Sequence, residues 1–414
     1  MTKKSLLLLI VALLVPFTAV VAQDEPVTIT FWHTYNEVSA ENEMLTETVI
    51  PMFEEAHPDI HVEAVPYPYD GFRQAMLTAL AGGQGPDLAR LDIIWSPEFA
   101  DQGVLAALDE VMPDFQEYAD RVFPGPLSTN QYQGSYYGLP LDTNTRVFVY
   151  NQAMYDAAGI EAPPVTVEDL AAQCDAITAL GDEIYAFSDG GTSGWNVLPW
   201  IWSFGGEITD PEITTATGYL NSPQSVAAFD FLKSMSDSGC FSDGMIGSGI
   251  DNWGGYFNDS IAAILEGPWL YPAAAGQYPD FEVNAALLPA GEGGSISVVG
   301  GENIVMFSTT QNQEAALEFL RFTQSPEYQL AMSETGQLTV LPELLETEYY
   351  QDHPYYPLYL EQLETARART PHPAWTEMEE ILTDAGQLIL RGEVPTQEAL
   401  DMAAEAIDAL LAES

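Results

Sequence analysis

The chain has 414 residues, of which 62 are acidic and 11 basic, giving a formal charge of −51 at neutral pH. Such a surface repels phosphate backbones and excludes nucleic acid as a partner. A hydrophobic content of 47%, with 11% aromatics, excludes disorder and supplies cores for two lobes, the division expected at this length.

Lys3 and Lys4 lead into the apolar run 6–15, which is followed by Pro16 and then by Val20, Val21 and Ala22. These are the charged, apolar and small-residue parts of an export signal, with cleavage expected near Ala22 and Gln23. Residues 1–22 are therefore set apart from the fold. As a membrane anchor the run is short and interrupted by Pro16 and Thr18. No Cys follows the expected cut, so a lipid anchor is not indicated. No later stretch offers 18 uninterrupted apolar residues. The expectation is a soluble, exported protein, periplasmic or extracellular, in which nine cationic residues remain once Lys3 and Lys4 are removed. The acidity suits high salt or low pH, and does not choose between them. Cys174 and Cys240 are the only cysteines. Export permits a bridge between them, and two unpaired core residues is the alternative.

In chain order, VTITFW at 27–32 predicts a first strand that empties into the polar, aromatic loop HTYNE. A helix follows over about 39–56, kinked at Pro51. A strand over 60–65 and a helix over 69–81 lead to the strand 88–92. Crossovers of this length imply a parallel sheet covered on both faces. YYGLPLDTNTRVFVYN at 136–151 bends at Gly138 and Pro140 and ends in a β-branched, aromatic strand, VFVY. Asp142, Thr143 and Asn144 sit in the connection feeding that strand, where the chain is expected to cross between lobes with Asp142 at the bottom of the cleft. An ordinary polar turn before a core strand is the plainer alternative. A short helix over 152–158 ends at Gly159, and Thr166 with Asp169 has capping-box spacing. SDGGTSGWNVLPWIWSFGG at 188–206 carries three Trp and five Gly in nineteen residues and is expected to be irregular. Ser222 and Pro223 open a helix to about 236. The apolar run 261–265 leads into EGPWLY, and VVGGEN precedes the strand 303–307, taken as the return to the first lobe. Helices are expected over 310–322, from Pro326, and over about 374–390 and 395–411.

Trp32, Trp95, Trp195, Trp202 and Trp269 share one context: strand ends or Gly/Pro-rich loops, each with a polar neighbour. Sugars present apolar C–H faces ringed by hydroxyls. A site for them needs flat aromatic platforms rimmed by carboxylates and amides. Core packing explains any one Trp, but five in the same context favour a platform site. Trp200 and Trp253 discriminate less, and Trp375 on a C-terminal helix reads as core. With 62 carboxylates, a pair at glycosidase spacing arises cheaply by chance. Asp87, after Gly85 and Pro86, reads as a structural cap. Gly300 and Gly301 form either a tight turn or a place where a ligand approaches backbone N–H groups. No P-loop, GxSxG, HExxH or EF-hand pattern occurs, and His33, His57, His61, His353 and His372 lack metal-site spacing. No catalytic residue, metal or cofactor is expected.

ITFWHTYNE, AGGQGPDLARLDIIW, YGLPLDTNTRVFVYN, LEGPWLY, VVGGEN and RARTPHPAW, in that order, span nearly the whole mature chain. Together they resemble the extracytoplasmic solute-binding proteins of ABC importers, in the cluster that binds sugars and oligosaccharides. The resemblance implies an α/β periplasmic-binding-protein fold with a ligand cleft between two lobes. Lobe 1 would be 23–141 plus 300–352, and lobe 2 would be 142–299 plus 353–414. Crossings are expected near 141–143, 299–301 and 342–359. By position, it implies sugar contacts from Trp32, His33, Glu37, Asp92 and Trp95 in the first lobe and Asp142 at the hinge. Trp202, Trp269 and Tyr271 would contribute from the second lobe, with Gly300 and Gly301 on the return strand. Arg369 would be a basic residue directed at the ligand, a surface salt bridge being its alternative. The implied protein is a monomeric binder, not an enzyme, that closes on a sugar and docks on a membrane permease. The rivals are the same scaffold holding a glycerophosphodiester or polyol, an extracellular carbohydrate-active enzyme, and an acidic protein that sequesters cations.

Overall fold

A five-stranded and a three-stranded sheet organise the computed structural model, which describes residues 26–413. The expected export signal lies outside the described residues. β1 (Val27–His33) pairs in parallel with β2 (Ile60–Pro66), and β3 (Leu88–Asp92) joins β1 in parallel on its other side. A short hairpin, β4 (Gln131–Tyr132) and β5 (Ser135–Tyr136), precedes β6 (Gly138–Thr145). β7 (Val147–Tyr150) begins one residue after β6 ends, and pairs antiparallel with β8 (Ala263–Glu266) and β9 (Asn284–Ala286). β10 (Val299–Met306) then inserts between β3 and β6, antiparallel to both, completing the order β2-β1-β3-β10-β6. The chain thus passes from the larger sheet to the smaller at Arg146, and returns at Val299.

Alternation explains β1, where Ile29, Phe31 and His33 are buried between partly or fully exposed neighbours. β6 is buried at all eight positions, as a strand between packed layers must be. The helices Tyr69–Ala81 and Gln152–Ala158 lie where the sequence placed them. Thr166 and Asp169 form a reciprocal capping box, at 3.1 and 3.0 Å. Ser222 caps the helix Pro223–Asp237 with Pro223 in its first turn. The five-stranded sheet carries a core of Phe31, Phe53, Ile304 and Phe319. Val147, Val149, Tyr256 and Tyr356 anchor another. The largest runs through Phe72, Trp95, Phe148, Phe187, Trp200 and Trp375. Cys174 and Cys240 are bonded, with Cα atoms 5.6 Å apart, joining the helix Val167–Thr178 to the residues after Pro223–Asp237. No described helix is long and apolar enough to cross a membrane.

Three elements differ from the sequence reading. Asp142, Thr143 and Asn144, expected in a connection before VFVY, lie inside β6 and pair with β10. The helix expected over 39–56 is broken into Ala40–Met44, a π turn Leu45–Val49, and Ile50–Ala56. Pro51 has no N–H to give the carbonyl four residues back, and the ladder widens just before it. The stretch expected to be irregular contains the helix Gly194–Ser203, with Pro199 inside it. Every residue of that helix except Trp195 is buried. Burying Leu198, Trp200, Ile201 and Trp202 at roughly 1.5–3 kcal/mol each outweighs about 3 kcal/mol for the proline and about 1 for Gly194. Pro199 leaves the Trp195 carbonyl without its helical donor. The Arg146 guanidinium donates to that oxygen at 3.0 Å, so the crossing residue also mends the helix.

Candidate functional site: a cleft where the strands cross

A cavity of about 1080 Å³ opens over the ends of β3, β6 and β10. Arg90 and Asp92 alternate along β3 and share a face. The Arg90 guanidinium lies 2.6 Å from Glu302 on β10 and 3.5 Å from Asp142 on β6. It also donates to Thr34 Oγ1 at 2.6 Å and sits 4.2 Å from the centre of the Tyr35 ring. Register places Glu302 opposite both Asp92 and Asp142. Like charges directly opposite repel, and Arg90 is the group that offsets them. Burial pushes the Glu302 carboxyl well above the usual range, Arg90 pulls it back, and Asp142 adds to the rise.

Asp92 accepts from the Tyr69 hydroxyl at 2.7 Å, the Ile94 N–H at 3.0 Å and Arg369 at 3.1 Å. Arg369 is itself buried, with its guanidinium 5.4 Å from the centre of the Trp195 ring. Trp195 and Trp269 stack with ring centres 6.5 Å apart and planes 26° off parallel. Both are half-buried and line the cavity. Trp253 lines it too, its Nε1 donating to Glu266 at 2.6 Å. Glu379 accepts from the N–H groups of Gly194 and Trp195, at the start of a helix where a carboxylate is favoured. Gly300 faces Asn144 across β6 and β10. A Cβ there would run into Asn144 Oδ1 and come within 2.8 Å of the Trp195 ring. The missing side chain lets the indole settle on the strand.

Of the residues singled out in the sequence, Asp92, Asn144, Trp195, Trp253, Trp269, Gly300, Gly301 and Arg369 line the cavity. Gly300 and Gly301 lie inside β10 rather than in a tight turn. Asp142 is buried behind the floor and reaches it through Arg90. The others lie off the cavity wall. Trp32 packs on Tyr67 at 4.5 Å. His33 is buried between Phe31 and Tyr35. Glu37 is exposed. Trp95 is buried behind Tyr69, with ring centres 5.0 Å apart. Trp202 is buried beneath the Arg367 guanidinium, and Tyr271 stacks on Tyr355 at 3.8 Å. Asp87 accepts from the Thr30 N–H at 2.8 Å, which is the structural role its context suggested. Sequence reasoning passed over Arg90, Tyr69, Glu302, Glu379 and Gln337. Arg90 did carry a signal, because a lone cation in the apolar strand LARLD needs a buried counter-charge. Among the described residues no group of His, Cys, Asp and Glu is placed to hold a metal ion.

A mixed α/β chain with a cavity where strands cross between two sheets has the architecture of a solute-binding protein. The family model for the bacterial extracellular solute-binding protein matches residues 48–357. A protein of Brucella abortus (strain 2308), named only as a binding protein, is 28% identical over 387 residues, 91% of this chain and 92% of that relative. The maltotriose-binding protein of Pyrococcus abyssi is 26% identical over 315 residues, 72% of this chain and 63% of its own. The solute-binding protein of an ABC transporter from Thermotoga lettingae, bound with α-D-tagatose, superposes with a TM-score of 0.83 at 26% identity. That match covers 93% of this chain and 100% of the other. The chain belongs to the bacterial extracellular solute-binding protein family, and membership in it implies export.

Proposed function

We propose that the chain binds an uncharged carbohydrate in this cleft and delivers it, unaltered, to the permease of an ABC importer. The observation that carries the reading is the Trp195–Trp269 stack beside a floor whose charges are already paired. The indoles suit the C–H face of a sugar ring, and the paired carboxylates and amides suit its hydroxyl edge. A phosphodiester would need a free cation. Both cavity guanidiniums are committed, Arg90 to Glu302 and Asp142, Arg369 to Asp92. The bodies that close are the lobes built on the five-stranded and the three-stranded sheet, and only a guest touching both favours the closed form. The names borne by the Pyrococcus and Thermotoga proteins support a sugar as the solute.

Intrinsic Trp fluorescence titrated with maltose, maltotriose and D-tagatose tests the reading. Saturable change with at least one is expected, together with recovery of that sugar intact after incubation. A flat response to all three, or release of a cleaved product, would sink it.

A further inference from the structure

Thr143 and Leu338 exchange backbone hydrogen bonds as an antiparallel bridge, N–H to O=C at 3.2 Å each way. Antiparallel register then sets Asn144 directly opposite Gln337, on the face away from Thr143 and Leu338. Residues so placed have Cβ atoms about 4.5–5.5 Å apart. Both side chains line the cavity, and both are buried, at 5% and 4% exposure. Asn144 Oδ1 and Gln337 Oε1 make no hydrogen bond among the described residues. Buried amide oxygens are ordinarily satisfied, because stripping water from them without replacement is costly.

Each amide lies next to a glycine against which one of the two Trp residues packs. Gly300, next to Asn144, admits the Trp195 ring. Gly336, next to Gln337, has φ +97, and a Cβ there would lie 2.7 Å from Trp269 Cα. The two carboxamides therefore face each other in register, Asn144 near the Trp195 ring and Gln337 close to the backbone of Trp269. A sugar lying flat on an indole turns its equatorial hydroxyls outward in the ring plane, and neighbouring hydroxyls leave a ring close together.

We propose that Asn144 and Gln337 form a carboxamide pair that takes two adjacent hydroxyls of one sugar ring. The pair thereby selects for a vicinal diol at that position. This rests on the carbohydrate reading above. A ring lacking either hydroxyl leaves one amide oxygen buried and unmet, so discrimination comes from the penalty as much as from the bond.

The test takes whichever of maltose, maltotriose and D-tagatose binds the full-length mature protein most tightly, and measures it by calorimetry against Asn144→Leu, Gln337→Met and the double variant. Each single change is expected to weaken binding by roughly 3- to 10-fold. Monodeoxy analogues of the same sugar extend the test. One deoxy position should lose affinity for the wild type yet lose nothing further with Asn144→Leu, and a neighbouring position should do the same with Gln337→Met. Thermal melts and circular dichroism identify a variant that is unfolded; Asn144→Asp and Gln337→Glu, which keep the acceptor oxygens, then replace it and are expected to retain the deoxy discrimination. Folded variants with wild-type affinity, or losses that add to every deoxy loss, overturn the pair while leaving the carbohydrate reading intact. A wild type that binds none of the three sugars overturns both.

Discussion

Arg369 Nη2 lies 3.1 Å from Asp92 Oδ1, joining two positions 277 residues apart in the chain. Asp92 ends β3 of the five-stranded sheet, and Arg369 stands just before the C-terminal helices Trp375–Leu390 and Thr396–Leu411. Both groups are buried, so the pair is worth little as attraction and much as mutual neutralisation. It fixes the C-terminal segment against the cavity floor and holds Arg369 beside Trp195.

Arg369→Ala should therefore do more than remove a contact. It strands the Asp92 carboxylate with only the Tyr69 hydroxyl and the Ile94 N–H. Urea unfolding is expected to show a loss of about 3 kcal/mol or more. An unchanged midpoint would mean that water reaches Asp92 freely.

Trp269→Ala removes one ring of the stack and should weaken sugar binding by about 2 kcal/mol, the size of an interface hot spot. Trp202→Ala is the contrast. Trp202 is buried off the cavity wall under Arg367, so its loss should lower stability while the surviving folded protein keeps its affinity. Calorimetry on both variants separates the two roles, and equal affinity losses would contradict them.

His33 supplies a pH dependence. Burial, and then the nearby charge of Arg90, lower its pKa from 6.5 to about 3. The unfolded chain takes up a proton below 6.5 that the folded chain refuses until about 3. Stability tied to His33 is complete above 6.5 and is lost as pH falls toward 3. Between pH 7.5 and 4.5 the wild type should lose roughly 2 to 3 kcal/mol more than His33→Phe. Carboxylates that titrate in the same window contribute to both proteins and cancel in the difference. Parallel loss in the two proteins would remove His33 from the account.

The Cys174–Cys240 bond closes 66 residues of chain. Cross-linking a loop of that length restrains the unfolded ensemble by about 4 kcal/mol. Cys174→Ala with Cys240→Ala is expected to lower the urea midpoint accordingly and to leave sugar affinity unchanged, since neither residue lines the cavity. A drop in affinity in the folded double variant would show that the bond positions the site.

How far the sequence carried this picture depended on whether a signal was local. β1, β3 and the helix Tyr69–Ala81 were legible because alternation, helical spacing and Gly82 lie within one window. The helix Gly194–Ser203 was not, because local propensity opposes it and only burial on every side but one overrides that. The site divides in the same way. Trp269 and Asp92 end elements and could be read there, whereas Glu302 and Gln337 owe their places to strands from distant parts of the chain meeting in register. Trp202 and Tyr271 share the Gly/Pro-rich setting of Trp269 yet point elsewhere. Local context singles out these aromatic positions, and which way each ring turns is decided by packing.

The scarcity of cations leaves Lys233 as the only lysine beyond residue 4. It sits on the helix Pro223–Asp237, paired with Asp237 at 2.5 Å, and does not line the cavity. Amine-directed dyes and surface-coupling reagents, which scatter over most proteins, would meet one side-chain target beyond residue 4. A fluorophore at that lysine reports from the helix Pro223–Asp237, away from the cavity, without any substitution.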